Sequence, residues 1–231
     1  MKTIGLIGGT SWESSLEYYR LLNQGARERL GGLHSARCLL YSLDFAPVEA
    51  GMRASDWQSV AQELARGAMA LEQGGADFFL LCSNTTHKCA EQVAGAVSIP
   101  LLHIGRATGH EARRLGFSRL GLLGTRFVME DDFMTGYLER HFEQSVLVPE
   151  AEARLEVNRI IFEELCLGTF SQRSKQFLQA CIDGLADRGA EGVVLGCTEI
   201  PLLITAGDSR LPILDTTSLH AAAALQEALE V

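Results

Sequence analysis

Two short polar segments of this chain carry residues that could move a proton. Ser83-Asn84-Thr85 follows the apolar run Phe78-Phe79-Leu80-Leu81-Cys82, and Cys197-Thr198-Glu199 follows Val193-Val194-Leu195-Gly196. A thiol, unperturbed near pKa ~8.5, is brought towards neutrality by a helix N-terminus. Cys197 is expected at such a strand-to-helix junction. Each segment closes an apolar strand, and sites in open parallel sheets lie at the carboxyl ends of strands. Two such ends facing each other would give a two-sided site. One proton-handling group on each wall suits removal of a proton from one face of a carbon and its return on the other, without a cofactor.

Further polar strand ends suit an anion. Gly8-Gly9-Thr10-Ser11 follows the first apolar run, and Gly124-Thr125-Arg126 follows its counterpart. Glycine lets backbone N–H groups approach a ligand, so both could cradle a carboxylate. Neither matches the dinucleotide fingerprint, and no phosphate-loop lysine follows. Arg53 is expected in the loop after the second strand, placed to meet a second carboxylate or to remain a solvated arginine. His87 could face the cleft or pack beside the strand. His34, His110 and His141 read as surface or packing residues, and Trp12, Tyr18 and Tyr19 as core or interface.

The elements that must position these groups are short apolar runs alternating with amphipathic stretches, which specify a parallel α/β sheet. Strands are expected at 4–8, 37–42, 77–82 and 100–104. Helices are expected at 13–29 with Ser11 as N-cap, at 55–73 with a capping box from Ser55, at 84–93 and at 108–115. The order then restarts. Gly5-Leu6-Ile7-Gly8 returns as Gly121-Leu122-Leu123-Gly124, Gly75-Ala76-Asp77 as Gly189-Ala190-Glu191, and Ile99-Pro100-Leu101-Leu102 as Leu211-Pro212-Ile213-Leu214. The offsets are 116, 114 and 112 residues, which argues for an internal duplication. At the offset of 114, Ser83 falls opposite Cys197. The expected fold is therefore α/β, with two pseudo-symmetric doubly wound parallel-sheet domains and the active site in the cleft between them. The boundaries read as 1–115 with 208–231 for the first domain, and 116–207 for the second.

Composition narrows the class. The 231 residues are 47% hydrophobic and 21% charged, which excludes disordered and fibrous chains. No apolar run approaches a membrane-spanning length, and the N-terminus has no signal-peptide layout, so a cytoplasmic protein is expected. The formal charge of −9 argues against a nucleic-acid partner. Six cysteines without C-x-x-C spacing suggest neither a disulfide framework nor a metal site. Cys38, Cys166 and Cys181 read as buried packing residues.

These motifs resemble the aspartate/glutamate racemase family of cofactor-independent amino-acid racemases. The carriers are Gly5-Leu6-Ile7-Gly8-Gly9, Ser83-Asn84-Thr85-Thr86-His87 where the family has Cys-Asn-Thr-x-His, Gly124-Thr125, and Gly196-Cys197-Thr198-Glu199. The resemblance implies two α/β domains with a returning C-terminal segment, no pyridoxal phosphate, no metal, and frequently a homodimer. It implies that Asn84, Thr85, Thr125 and Thr198 hold the substrate's amino and carboxylate ends, with Thr10 on a pocket-lining loop. Arg53 falls where relatives that prefer dicarboxylic substrates place a side-chain carboxylate partner. Cys197 matches the cysteine that works on the L face.

The departure is Ser83, where the family has its first cysteine; Cys82 stands one residue too early and would turn to the opposite face. A serine hydroxyl is a far weaker acid than a thiol. The resemblance thus implies an asymmetric racemase of L-aspartate or L-glutamate, with Cys197 as base on the L isomer and Ser83, directly or through water, on the other face. Cys166 stands where such enzymes usually carry a basic residue, which weakens the case for a dicarboxylate. Two alternatives are a single-cysteine decarboxylase of the same superfamily acting on a malonate-type acid, and a degenerate amino-acid-binding module.

Overall fold

The computed structural model describes residues 1–230. Met1–Ile104, with the chain from His220 onward, form one compact unit, and Gly105–Leu219 form another. The elements in chain order are β1 (Ile4–Gly8), α1 (Trp12–Leu30), β2 (Cys38–Ser42), α2 (Phe45–Arg53), α3 (Trp57–Gln73), β3 (Phe78–Leu81), α4 (Ala90–Ala94) and α5 (Ile104–Arg114). There follow β4 (Arg119–Gly124), α6 (Arg126–Glu130), α7 (Asp132–Phe142), β5 (Ser145–Leu147), α8 (Ala151–Glu163), α9 (Gln172–Asp187), β6 (Gly192–Gly196), β7 (Ile213–Asp215) and α10 (Thr216–Leu229).

In the first unit, a parallel sheet runs in the order β2-β1-β3. Every residue of β1 and β3 is buried, as expected of parallel strands covered on both faces. Alternation along β3 sends Phe78, Leu80 and Cys82 into one core, with Ile4, Leu6, Tyr18, Leu22 and the α10 residues Ala224 and Leu225. Leu102 joins that core, while Leu101 adds only a parallel bridge to Phe79. The strand expected at 100–104 is therefore a short edge addition, and Ile104 already begins α5.

The second unit has the order β5-β4-β6-β7, again parallel. Its register reproduces that of the first. Gly5 sits opposite Phe79 and Leu39, and Gly121 sits opposite Val193 and Leu147. Phe79 bridges to Leu101 just as Val193 pairs with Ile213. Both strand-one glycines are closely approached: a Cβ on Gly5 would lie 3.1 Å from Leu71, and one on Gly121 would lie 3.0 Å from Leu185. An acid at the head of each third strand accepts from the first: Asp77 from Thr3 N, and Glu191 from Arg119 N at 2.9 Å. The repeat read from the sequence is a repeat of hydrogen-bond register.

The first crossing into the second unit lies at Ile104/Gly105, and the return lies at Leu219/His220. Both differ from the expected 115 and 208 for packing reasons. Gln144 Nε2 donates to Gly109 O at 3.2 Å, which holds α5 in the second unit, and β7 completes the second sheet against β6.

Local chemistry shifts other boundaries. Asp56, not Ser55, caps α3, accepting from Ser59 N at 3.1 Å, while Ser55 takes φ 60°. Ser11 occupies the N-cap position of α1, but its hydroxyl bonds to Glu13 at 3.0 Å rather than to the helix backbone. The helix expected at 84–93 divides into a 3-10 turn at Thr85–Cys89 and α4. Tyr18 is buried, whereas Trp12 and Tyr19 are exposed on α1; His34, His110 and His141 are exposed. Cys38, Cys166 and Cys181 are half-buried rather than buried. No helix among the described residues is long and apolar enough to cross a membrane.

Candidate active site

In the first unit, β1 ends in a loop whose geometry is dictated by its neighbours. Gly9 has φ 81°, and a Cβ there would collide with the Leu43 backbone, so only glycine fits. Gly9 N donates to Ser15 Oγ at 2.8 Å, so this N–H serves the loop itself and not a carboxylate cradle. Thr10 is buried beside it, and Ser11 has φ 72°, outside the regions that L residues favour.

The end of β3 is held more tightly. Cys82 N donates to Ile7 O at 2.9 Å, and the Cys82 thiol, fully buried in the core, is pushed far above its usual pKa by burial. Ser83 is half-buried, and Asn84 and Thr85 are buried. The Ser83 carbonyl accepts from Thr86 Oγ1 at 3.0 Å and from His87 Nδ1 at 2.8 Å. His87 is buried in this unit and belongs to the group that packs beside the strand.

Arg53 departs from expectation. Residues 45–53 form α2 instead of a loop, because Asp44 caps the segment and Pro47 sits in its first turn, where proline is tolerated. Arg53 lies in the last turn of that helix, with its side chain 80% exposed and paired to Glu49 at 2.6 Å.

In the second unit, β6 ends at Gly196. A Cβ on Gly124 would lie 2.9 Å from Gly196 O, so the ends of β4 and β6 approach closely. Thr125 is buried and caps the short α6, accepting from Val128 N at 3.4 Å. Beside it, Cys197 is buried and its Sγ donates to Glu199 Oε2 at 3.0 Å. Thr198 Oγ1, half-buried, donates to the same oxygen at 2.8 Å. One buried carboxylate therefore organises both neighbours.

The Cys197 thiol is raised well above its ordinary pKa, first by burial and then by the negative charge of Glu199 and by Cys166. This reverses the lowering expected from a helix N-terminus. The offset expected from a helix is weak, because the first helical element beyond Cys197 is the 3-10 turn Ile200–Leu202, too short to carry a useful dipole. The thiol points its proton at a carboxylate. Sequence reasoning leaves the part of Glu199 open; its signal is the intact Cys-Thr-Glu run.

A model of the Asp/Glu/Hydantoin racemase family matches residues 7–224. The chain belongs to that family. The chain is 45% identical, over the whole of both chains, to a candidate Asp/Glu racemase of Yersinia pestis, with a TM-score of 0.93. It is 34% identical to an aspartate racemase homologue from Pyrococcus horikoshii, also over the whole of both chains, with a TM-score of 0.86. A broad specificity amino-acid racemase, RacX of Bacillus subtilis, is 23% identical over 72% of this racemase and 71% of its own length. The α/β architecture with parallel sheets is that of the family.

Proposed function

We propose that this racemase inverts the α-carbon of an amino acid, L-aspartate or L-glutamate before others, without a cofactor. Cys197 acts as the base on the L isomer and Ser83, directly or through water, acts on the opposite face. The observation that carries this reading is the bond from Cys197 to Glu199 at the end of β6.

The thiol proton passes to Glu199, and the resulting thiolate takes the proton from Cα. The carbanion is reprotonated from the other side by the Ser83 hydroxyl, which recovers its proton from water, while Glu199 returns its proton to the hydroxide so formed. Because an alkoxide is far costlier to form than a thiolate, proton exchange on the D isomer is slower than on the L isomer, and the serine step limits net conversion from either side; each tenfold difference in rate is about 1.36 kcal/mol of barrier. Asn84, Thr85, Thr125 and Thr198 hold the substrate's amino and carboxylate ends, with Thr10 lining the pocket. Arg53 meets a side-chain carboxylate by exchanging its Glu49 partner for substrate. The working enzyme is a cytoplasmic homodimer. The dicarboxylate preference draws support from the family and from the Pyrococcus relative, an aspartate racemase homologue.

The test is a screen of all L-amino acids with the purified protein and no added cofactor, read by chiral chromatography and by solvent-deuterium entry at Cα. Conversion of L-aspartate or L-glutamate is expected. Equal exchange rates for L and D isomers would sink the asymmetric assignment. Release of carbon dioxide from a disubstituted malonate, with no racemisation, would replace the reading with decarboxylation. In Cys197→Ala, retained ligand affinity with no turnover in either protein would mark a binding module.

A further inference from the structure

His87 is set in the first unit by two bonds that leave its ring no choice of tautomer. Ile104 N, which can only donate, points at Nε2 from 3.1 Å, so Nε2 is the bare nitrogen. The ring proton is therefore on Nδ1, which donates to the Ser83 carbonyl at 2.8 Å. The ring is buried, packed edge-on to His103 at 4.6 Å and to His220 at 5.9 Å, and burial together with His220 lowers its pKa to about 3. A ring whose bare nitrogen is occupied by a backbone N–H has nowhere to take a substrate proton. His87 is thus not an acid or a base.

What it does hold is the Ser83 peptide. With Thr86 Oγ1 donating at 3.0 Å, both lone pairs of that carbonyl are engaged, and His87 N closes the turn on Asn84 O at 3.1 Å. The other half has no counterpart. The position equivalent to His87, 114 residues on, is Pro201, which has neither an imidazole nor a backbone N–H. There the carboxylate of Glu199 organises the strand end instead.

We propose that His87 is the positioning residue of the serine wall: it fixes the Ser83 peptide, and so the hydroxyl, for delivery of a proton to the face opposite Cys197. This rests on the assignment of Cys197 and Ser83 as the two proton carriers. A hydroxyl donor of low acidity tolerates misplacement poorly, since an ångström can cost about 100-fold in rate.

The experiment compares His87→Asn with His87→Gln. An asparagine amide N–H stands close to the Nδ1 position and keeps the donor to Ser83. A glutamine amide oxygen reaches the Nε2 position and keeps only the acceptor for Ile104. For each variant, two rates are measured from the L isomer in deuterated water. Deuterium entry with retention needs Cys197 alone, whereas formation of the D isomer needs Ser83 as well. Their ratio does not depend on how much protein is folded. The ratio is expected to fall about tenfold or more in His87→Gln and to recover to within about threefold of the parent in His87→Asn. An unchanged ratio in both variants, or a larger fall in the asparagine variant, would overturn the positioning role. Retained L-isomer exchange in Cys197→Ala would instead remove the base assignment beneath it, and that outcome involves no change at His87.

Discussion

The Cys197 thiol donates to the Glu199 carboxylate across 3.0 Å, two residues apart at the end of a buried strand. A donor and acceptor so placed make opposite demands on any substitution. The negative charge holds the thiol proton on, and the same group is the nearest place for that proton to go.

Glu199→Gln should therefore make the thiol more acidic and the enzyme slower. Removing the charge lowers the Cys197 pKa, because Glu199 is among the causes that raise it. The pH midpoint of iodoacetamide labelling at Cys197 should move down, while Cα exchange of the L substrate falls about 100-fold or more, the range of a lost general base. A faster enzyme with a more acidic thiol would mean that Glu199 merely suppresses the nucleophile.

Ser83→Cys restores a thiol to the other strand end. Deuterium exchange of the D isomer should rise at least about tenfold, equivalent to about 1.4 kcal/mol of barrier, with L-isomer exchange changing little. Exchange measured separately on each enantiomer by proton NMR decides this.

Arg53→Ala should raise KM for dicarboxylic substrates with a smaller effect on kcat, because a side-chain clamp binds ground and transition states alike. Losing the exposed pair with Glu49 should change stability by less than about 1 kcal/mol. Steady-state kinetics on aspartate beside alanine, together with urea unfolding, separates the two effects.

Acid should destabilise the first unit earlier than carboxylate titration alone would. His87 and His220 are buried and neutral, with pKa values lowered from 6.5 to about 3, chiefly by burial. The unfolded chain gains these protons below about 6.5 and the folded chain does not, so stability present above pH 6.5 is lost as pH falls towards 3. Each ring contributes a slope of up to about 1.4 kcal/mol per pH unit. Urea midpoints at pH 7 and pH 5 should differ, and His220→Gln should reduce the difference; an identical drop in that variant would exclude His220 as a contributor.

Gly9→Ala should cost about 1–3 kcal/mol in thermal unfolding and distort the Thr10 loop, since φ 81° and the Leu43 backbone both exclude a side chain.

Much of this architecture is legible in the chain because it is written in local punctuation. Apolar runs closed by glycine mark β1, β4 and β6, the run closed by Ser83 marks β3, and the matching triplets place Ser83 opposite Cys197. The two units are legible, but their crossings are not, since helices α5 and α10 pass from one to the other without a composition change. Helix α2 is hidden by Pro47 and Gly51, which read as a loop, and Arg53 is misplaced with it. The thiol's raised pKa is equally hidden, because the burial and the Glu199 contact that raise it are tertiary, and a strand end in an α/β pattern suggests a helix where a 3-10 turn follows. The Tyr18 hydroxyl to His220 Nδ1 bond, at 2.8 Å, joins residues 202 positions apart, a separation beyond any periodicity.

Each half carries its own sheet and its own packed interior, in matched register. The end of β3 is therefore built on the interior of its own half, and the end of β6 on that of its own. On the proposed assignment, proton exchange on the L isomer can persist when the serine wall is weakened, whereas net racemisation, with an equilibrium constant of one, falls equally from either side.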